Sequence, residues 1–366
     1  MTAIAPIVIK LGSALLSTPQ GLDRAGIDQW CAQIARARAA GERIVVVSSG
    51  AVAAGSVLLG LPGRPEEMRL LQAAAAVGQP ELTNAYSQAL GAHDIRCAMV
   101  LLTHADIANR ARYLNARTTL LSLLDMGVVP IVNENDSVAT DEIRFGDNDT
   151  LAAMVANLLE ARLLLVLTDQ AGLHERDPRT DPSAPLVHRA QANDPALLNM
   201  AGDAGRLGRG GMLSKVKAAQ LAARSGADTV IAPGRQPEVI TRLLSGDEIG
   251  TRLCADSVPL DARKRWIADQ IRPKGDLLLD EGAVTALKRR GVSLLPIGIT
   301  GVEGQFQRGD LVRCISPAGA LVAQGLVNYD AEQASRIAGH NSAALGDLLG
   351  YAADPELVHR DNLVVF

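Results

Sequence analysis

The chain has 366 residues, of which 48% are apolar, 21% are charged and only 2% are aromatic. This length favours one large domain followed by a smaller one. The scarcity of aromatic rings argues against a surface that stacks single-stranded bases, and the net charge of −4 argues against a global basic surface for nucleic acid.

Over the first 250 residues, buried strands alternate with amphipathic helices. The predicted strands are Ile7–Leu11, Ile44–Ser48, Ala98–Leu102, Val128–Val132, Leu163–Thr168 and Thr229–Ala232. The predicted helices are Arg24–Ala39, Glu66–Leu90, Asn115–Met126, Thr150–Leu159 and Leu213–Ser225. Continuous apolar runs are typical of strands covered on both faces. The pattern predicts an α/β fold with a mostly parallel sheet sandwiched by helices, whose ligands bind beyond the carboxyl ends of the strands.

The alternation ends near residue 255. A polar connector follows over residues 256–275, and beyond it lie short segments of strand and helix. These segments are Ser293–Leu295, Gly298–Val302, Leu311–Ile315 and Leu321–Leu326 as strands, with helices near Glu281–Arg290 and Ala331–Ala338. We therefore expect a first domain over 1–255, a small mainly β domain over 276–352 and a C-terminal tail over 353–366.

Lysine is rare in this chain. Only six of the 36 basic residues are lysine, and Lys10, Lys215 and Lys217 are the only ones among the first 263 residues. Lys10 ends the first strand just before Gly12 and Ser13, and Lys215 follows a glycine-rich loop at a helix start. A compact ammonium fits among crowded oxygens where the arginine fork does not. Lys10 and Lys215 therefore indicate a phosphate site, whereas Lys217 is more simply a solvated surface residue.

Two further loops follow buried strands. The turn Ser48-Ser49-Gly50 precedes a helix of small residues, whose N–H groups would bind an anion unless a serine simply caps them. The segments Asn133–Asp136 and Gly146–Asp149 bring three Asn, one Glu and three Asp to the mouth of the sheet. They suit a ligand with an ammonium and a carboxylate, or a metal held by oxygen. The alternative is a solvated acidic loop in which Asp149 caps the next helix.

The last two candidate loops are Thr168-Asp169, at the end of a strand, and the glycine-rich Leu207–Lys215. The latter would form a phosphate cradle at a helix start, although flexible loops have the same composition. The chain has no GxxxxGK[ST], no protein-kinase His-Arg-Asp set and no GxGxxG with a downstream acid. If phosphate is bound here, the fold belongs to another class.

Taken in this order, the loops resemble the amino-acid kinase family, and within it the glutamate 5-kinases with a C-terminal PUA domain. The resemblance rests on IVIKLGSALL, VVSSGAVAAG, PIVNENDSVAT, FGDNDTLAA, LLVLTDQAGL and GRGGMLSK, and in the second domain on LLPIGITGVEGQFQRGD and RIAGHNS. It covers essentially the whole chain. It implies the amino-acid kinase fold and ATP-dependent phosphorylation of the L-glutamate side-chain carboxylate, the first step of proline biosynthesis.

The resemblance also implies roles for individual residues. Lys10 would hold the transferring phosphoryl group, Lys215 would hold the nucleotide phosphates, and Asp147 would orient both lysines. The residues that would bind glutamate are Ser49, Asp136 and Asn148. The residues that would bind ATP are Lys10, Thr168, Asp169, Arg209, Gly210, Gly211, Met212, Leu213, Ser214 and Lys215. Mg²⁺ would bridge phosphate oxygens through water and ATP, without a protein ligand. Arg209 stands where such loops often carry threonine.

Expectations about partners and location complete the prediction. Proline as feedback inhibitor and a homo-oligomer, either dimer or tetramer, are implied by the resemblance alone. The four scattered cysteines indicate reduced thiols, and no apolar run approaches a membrane span, so we expect a cytoplasmic protein. RNA binding by the PUA-like domain is not expected, because acids outnumber basic residues over 276–350. The alternatives are a kinase of the same fold acting on N-acetylglutamate, aspartate, carbamate or UMP, and an RNA-binding protein with a decayed kinase domain.

Overall fold

A computed structural model of the chain describes residues 4–138, 148–202, 211–256, 273–290, 292–351 and 354–366. The chain divides into two compact units. The first comprises Met1–Ala108 and Ala116–Pro259, and the second comprises Asn109–Asn115 and Leu260–Phe366. No helix within the described ranges is long and apolar enough to cross a membrane.

The strands before residue 257 form one large sheet and a small hairpin. They are β1 (Ile7–Leu11), β2 (Ser17–Thr18), β3 (Gly21–Leu22), β4 (Ile44–Ser48), β5 (Cys97–Leu102), β6 (Val129–Glu134), β7 (Leu163–Thr168), β8 (Arg189–Gln191), β9 (Asp228–Pro233) and β10 (Thr251–Cys254). The large sheet has the order β5-β6-β4-β1-β7-β9-β10-β8, and β2 pairs with β3. All neighbours in the large sheet are parallel except β9 and β10. The predicted mostly parallel sheet is therefore confirmed.

The helices over the same part of the chain lie between these strands. They are α1 (Ser13–Leu16), α2 (Arg24–Ala39), α3 (Ala51–Leu58), α4 (Met68–Gly91), α5 (His104–Ala108), α6 (Arg110–Asp125), α7 (Asn148–Leu159), α8 (Ala196–Met200), α9 (Met212–Ala223) and α10 (Val239–Leu244). Both faces of β1 are buried. Ile7 and Ile9 pack in one core with α2 and α4, and the alternate residues face α7.

The central strand β1 is the point where the strand order reverses. The chain runs from β1 to β4 on one side and later to β7 on the other. Leu11, the last residue of β1, pairs with Ser48 at the end of β4 and with Leu167 near the end of β7. The carboxyl ends of three strands therefore meet at one level. In open α/β sheets this switch point is where ligands bind.

Helices α3 and α4 cross with their backbones in contact. A Cβ atom added to Gly55 would lie 1.7 Å from the carbonyl oxygen of Ala74, and one added to Gly78 would lie 1.9 Å from that of Ala51. No real Cβ tolerates such distances, so this crossing requires glycine at both positions. It fixes the start of α3, beside β4, against the middle of α4.

The second unit contains a five-stranded sheet. Its strands are β11 (Gly275–Leu279), β12 (Ile299–Gly304), β13 (Leu311–Ile315), β14 (Leu321–Leu326) and β15 (Leu363–Val365), in the order β12-β11-β13-β14-β15. Its helices are α11 (Glu281–Arg290), α12 (Ala331–Ile337) and α13 (Leu345–Leu349), with 3₁₀ turns at Pro296–Gly298, Ser342–Ala344 and Arg360–Asn362. A compact apolar core runs beneath this sheet.

The second unit differs from the sequence prediction in several details, and strand β11 was not predicted at all. Strand β15 lies in the segment predicted to be a tail, and it pairs with β14 because Leu363 packs into the core. The predicted strand Ser293–Leu295 is only an isolated bridge between Leu294 and Val358. Three basic side chains of this unit are paired with acids, in the ion pairs Lys274–Asp310 at 3.1 Å, Arg308–Asp354 at 3.0 Å and Arg313–Asp276 at 2.5 Å.

Candidate active site

Two buried lysines share one carboxylate at the carboxyl end of β1. Lys10 Nζ lies 2.5 Å from Asp149 Oδ1, and Lys215 Nζ lies 3.1 Å from Asp149 Oδ2. The Ser214 hydroxyl donates to the same Oδ2 at 2.7 Å. Residues far apart in sequence, from β1, α7 and α9, therefore form one compact charged cluster. Two cations beside one anion leave a net positive site for an anionic ligand.

The electrostatics of this cluster favour a charged Asp149. Its side chain is fully buried, and burial by itself would raise the pKa of the carboxyl group. The adjacent charges of Lys10 and Lys215, with hydrogen bonds from Lys10 and Ser214, overcome that effect and lower the pKa of Asp149 to about 2. Asp149 therefore remains ionised throughout the physiological range and holds both ammonium groups in place.

Among the described residues, Asp149 is the carboxylate that pairs with both lysines, and the role predicted for Asp147 stays a prediction. Sequence analysis gave this role to Asp147, which lies outside the described residues, and offered Asp149 only as a helix cap. In the structure Asp149 is the second residue of α7, and its carboxylate is directed at the lysines. The first turn of a helix is a favourable place for a negative charge, because the helix dipole is positive there.

A second polar cluster surrounds the Asn148 side chain. Its Nδ2 group lies 2.7 Å from the Ser48 carbonyl oxygen, 3.0 Å from Ser49 Oγ and 2.9 Å from Asn133 Oδ1. The Asn133 amide in turn donates to Gln79 Oε1 at 2.8 Å. Ser49 and Asn148, both predicted to bind substrate, are therefore in contact. Asn133 belongs to the predicted polar loop but was given no role of its own, and Gln79 was not predicted to have a role in this site.

Helices α3 and α9 begin close in sequence to residues of these clusters, and no described side chain caps either N-terminus. Helix α3 begins after Gly50, which has a φ of +105° and makes no side-chain cap. The alternative of a serine cap is wrong, because Ser48 Oγ is hydrogen-bonded to the Tyr86 hydroxyl at 2.9 Å and Ser49 Oγ accepts from Asn148. Helix α9 begins after Gly211, also without a side-chain cap. Uncapped N–H groups are donors for an anion.

Gly12 lies two residues after Lys10, in the turn at the end of β1. Its φ of −72° and ψ of 152° are open to any residue, so the turn does not require glycine. A Cβ atom at this position would lie 3.6 Å from Lys10 Nζ and 3.4 Å from the Leu167 carbonyl oxygen. The missing side chain leaves open the space beside the lysine ammonium, where a phosphate oxygen would lie.

The Thr168-Asp169 pair lies beside this cluster at the end of β7, which neighbours β1. Thr168 is buried, and its hydroxyl donates to Asp169 Oδ1 at 3.0 Å. Its carbonyl oxygen accepts from the backbone N–H of Gly234 at 2.8 Å. Two hydrogen bonds therefore hold Thr168 at the carboxyl edge of the sheet, and Asp169 is exposed.

Two carboxylates lie at the carboxyl end of β6, on the other side of β4: Glu134 is the last residue of the strand, and Asp136 follows it. Burial, and then the nearby charge of Glu134, raise the pKa of Asp136 to about 7, although Arg64 acts in the opposite direction. Glu134 is buried, with Oε2 3.6 Å from His104 Nδ1. No donor in the described part of the chain reaches its Oε1 atom. A cation beside these carboxylates would be stabilised by both. Glu134 was counted in the predicted acidic loop, but sequence reasoning gave it no role of its own.

Comparison with known proteins agrees with this geometry. The sequence profile of the amino acid kinase family matches residues 5–233, and that of the PUA domain matches residues 275–349. The first match covers more than half of the chain and includes every strand around the lysine cluster. The chain belongs to the amino acid kinase family.

Relatives of known name extend this result over nearly the whole length. The chain is 56% identical over 360 residues to a protein named glutamate 5-kinase from Chromohalobacter salexigens, covering 98% of this chain and 95% of the relative. It is also 56% identical to a protein named glutamate 5-kinase from Thioalkalivibrio sulfidiphilus, covering 98% of this chain and 96% of the relative. A solved structure of carbamate kinase from Giardia lamblia bound to AMP-PNP has the same fold. It is 21% identical with a TM-score of 0.51, covering 70% of this chain and 100% of that chain.

Within this amino acid kinase, the structure brings together most of the predicted site residues that it describes. Lys10, Lys215 and Ser214 share one carboxylate, and Ser49 lies against Asn148. No hydrogen bond joins Asp136 to either of these clusters among the described residues, and its place in the site stays a prediction. Arg209 and Gly210, like Asp147, lie outside the described ranges.

Proposed function

We propose that this chain transfers the γ-phosphoryl group of ATP to the side-chain carboxylate of L-glutamate. The observation that carries the proposal is the buried Lys10–Asp149–Lys215 bridge, one residue along α7 from the Asn148–Ser49 cluster. It supplies positive charge for a moving phosphoryl group beside a polar site for a small acceptor. The names of the 56% identical relatives support glutamate as that acceptor.

The reaction brings two anions together. A glutamate carboxylate oxygen forms a bond to the γ-phosphorus of ATP, and the bond from that phosphorus to the bridging β-phosphate oxygen breaks. The products are L-glutamyl 5-phosphate and ADP, and no proton is transferred. The protein must therefore position the reactants and neutralise charge.

The lysines fit that requirement. Lys10 lies at the end of β1 beside Gly12, where it would contact the transferring phosphoryl group. Lys215 lies at the start of α9, where it would contact phosphate oxygens near the leaving group, together with the uncapped N–H groups after Gly211. Donors fixed in place before reaction stabilise developing charge without reorganisation. Bound with ATP, Mg²⁺ would neutralise further phosphate charge.

The acceptor site fits an amino acid. The uncapped start of α3 and the Ser49 hydroxyl would bind a carboxylate, and Asp136 with Glu134 would stabilise an α-ammonium. This distinguishes glutamate from the alternatives with the same fold. N-acetylglutamate has no ammonium to pair with Asp136, and UMP would require basic residues there. An RNA-binding protein with a decayed kinase domain would have lost the lysine–carboxylate cluster, which is present.

The direct test is formation of an acyl phosphate. Purified protein is incubated with ATP, Mg²⁺ and hydroxylamine, which traps acyl phosphates as hydroxamates. The acceptors compared are L-glutamate, L-aspartate and N-acetyl-L-glutamate. We expect hydroxamate and ADP in equal amounts with L-glutamate. Product with aspartate or N-acetylglutamate and none with glutamate would contradict the proposal.

Feedback inhibition by proline and a homo-oligomer are proposed on the strength of the resemblance alone, and a cytoplasmic location is proposed from the scattered cysteines and the apolar pattern of the sequence. The same assay with added proline tests the first, and light scattering of the purified chain tests the second. Activity that is unchanged at millimolar proline would remove the inhibitor from the proposal without affecting the reaction.

A further inference from the structure

We infer that Gln79, on helix α4, is a positioning residue for the acceptor site. It sets the orientation of the Asn133 amide and, through Asn133, the orientation of the Asn148 amide. This inference rests on the proposed function, because Asn148 belongs to the site in which glutamate would bind. Gln79 itself touches neither of the lysines.

A continuous row of hydrogen bonds connects these three amides. Gln79 Oε1 accepts from Asn133 Nδ2 at 2.8 Å, and Asn133 Oδ1 accepts from Asn148 Nδ2 at 2.9 Å. Asn148 Nδ2 then donates to the Ser48 carbonyl oxygen at 2.7 Å. At the other end, Gln79 Nε2 lies 3.2 Å from Met99 Sδ. The row runs from α4 through β6 to the start of α7 and the end of β4.

The direction of this row is fixed at one end. A backbone carbonyl can only accept, so the oxygen of Ser48 must face the nitrogen of the Asn148 amide. Asn133 must then face Asn148 with its oxygen, which turns its own nitrogen toward Gln79. Only an acceptor at position 79 satisfies that nitrogen. The sulfur of Met99 is a weak acceptor, which suits the Gln79 nitrogen.

The consequence for a ligand lies at Asn148 Oδ1. With its nitrogen committed to Ser48 and Asn133, Asn148 presents its oxygen to the site, and no donor among the described residues is bonded to that oxygen. A substrate group that meets it must be a donor, as an α-ammonium is and a carboxylate is not. Gln79 thus favours an amino acid by keeping the acceptor side of Asn148 toward the ligand.

Loss of the acceptor at position 79 should disturb this arrangement. Without it, Asn133 Nδ2 is left without its partner, and rotation of the Asn133 amide would place its nitrogen against the nitrogen of Asn148. Either outcome weakens the Asn148 orientation. A hydrogen bond of this kind corresponds to a change in affinity of about tenfold.

The test compares three variants by steady-state kinetics and thermal unfolding. Gln79→Met removes both polar atoms with little change in length. Gln79→Glu keeps an acceptor for Asn133. Gln88→Met is the matched control, since Gln88 lies on the same helix and its exposed side chain contacts only the surface residue Arg24 in the described structure, at 3.0 Å. The readouts are kcat, the KM for glutamate, the KM for ATP and Tm.

We expect Gln79→Met to raise the KM for glutamate about tenfold while the KM for ATP changes less than about twofold. Gln79→Glu should keep the KM for glutamate within about threefold of the unmodified chain, and Gln88→Met should match it. An unchanged KM for glutamate in Gln79→Met would overturn the inference. Equal rises in the KM for glutamate and the KM for ATP would also overturn it. The same holds if Gln79→Glu raises the KM for glutamate as much as Gln79→Met does.

These results can be separated from a failure of the proposed function. If the unmodified chain phosphorylates another acceptor in place of glutamate, the proposed function fails, and the same variants are compared with that acceptor. An effect of Gln79→Met confined to the KM of that acceptor would still support the positioning role. If Gln79→Met does not fold, the KM values of Gln79→Glu and Gln79→Lys are compared instead. Lysine offers Asn133 only donors, so Gln79→Lys should raise the KM for the acceptor, whereas Gln79→Glu should not.

Discussion

Asn148 and Asp149 are adjacent in sequence, but their side chains belong to different halves of the site. The Asn148 amide is bonded to Ser48, Ser49 and Asn133, and the Asp149 carboxylate is bonded to the two lysines. Successive residues of a helix point about 100° apart, so the start of α7 reaches both clusters at once. In the proposed reaction, two successive residues of α7 would therefore set the distance between the acceptor and the phosphoryl group.

Replacing Asp149 should damage both the fold and the reaction. Asp149→Asn leaves two buried ammonium groups without their carboxylate, and breaking a buried pair costs about 3–5 kcal/mol in the free energy of unfolding. We expect this loss in denaturant unfolding, together with loss of turnover. Asp125→Asn is the matched control, because the Asp125–Arg43 pair is on the surface and is worth about 0–1 kcal/mol. Equal unfolding free energies for the two variants would contradict the central role of Asp149.

Arginine should not substitute for the buried lysines. Lys10 and Lys215 are 5% and 3% exposed, and the planar guanidinium is too broad for the space beside Asp149. We expect Lys10→Arg and Lys215→Arg to fold and to lose at least about 100-fold in kcat, the usual effect of removing one donor to developing charge. Lys217→Arg, on the same helix but exposed, should keep kcat within about twofold. Near-native turnover of Lys10→Arg would refute the prediction.

The substitution Gly12→Ala should weaken nucleotide binding without affecting folding. Because the backbone there is unstrained and the added methyl group meets only ordinary contacts, Gly12→Ala should leave Tm unchanged or slightly higher. The methyl group nevertheless fills the space beside Lys10 Nζ, so the KM for ATP should rise about tenfold. In contrast, Gly50→Ala should lower the unfolding free energy by about 1–2 kcal/mol, because the backbone of Gly50 is in the left-handed region, which disfavours alanine. Unchanged ATP kinetics in Gly12→Ala would show that phosphate does not approach this turn.

The raised pKa of Asp136 predicts a pH dependence of glutamate binding. Its carboxyl group becomes neutral as the pH falls through about 7 and then no longer attracts an ammonium. The KM for glutamate should therefore rise from pH 8 to pH 6, with little change in the KM for ATP. Asp136→Asn should have a high KM for glutamate at both pH values. If the KM of that variant still changed with pH as in the unmodified chain, the pH dependence would belong to another group.

The same shift predicts an effect of Asp136 on stability. A carboxyl group whose pKa is raised in the folded protein favours folding below its ordinary value of 3.8, and that contribution disappears as the pH rises through about 7. Asp136→Asn should therefore raise Tm at pH 8 and leave it unchanged near pH 4. A constant difference in Tm across this range would show that ionisation is not the cause.

The crossing of α3 and α4 offers a stability test within one helix. Gly78→Ala introduces a methyl group 1.9 Å from the Ala51 carbonyl oxygen, so the helices must separate, at a cost of about 1–3 kcal/mol in unfolding free energy. Gly91→Ala, in the same helix, meets nothing within 4 Å and should raise Tm slightly, because alanine favours helix. Equal Tm values for the two variants would indicate that the crossing relaxes freely.

The sequence was sufficient for most of the sheet. The bounds of β1, β4 and β7 are those predicted, because strands covered on both faces are uninterrupted apolar runs. The short strand β15 was missed, because three residues are too few to show a period. Lys10 and Lys215 were found because lysine is otherwise so rare.

Other parts of the site depend on geometry that the sequence does not display. Asp149 belongs to an acidic segment with several carboxylates, and the sequence does not display that its side chain meets both lysines from the first turn of α7. Gln79 is one polar residue in an alanine-rich helix, without a motif to mark it. Its partner Asn133 lies 54 residues away, so their contact exists only once the helix packs beside β6.

The shared carboxylate also determines what happens between turnovers. Neither Lys10 nor Lys215 can swing toward solvent without leaving Asp149 charged and short of a partner inside the protein. In the proposed reaction, both ammonium groups would therefore keep these positions after the products depart, and the next ATP would meet them there.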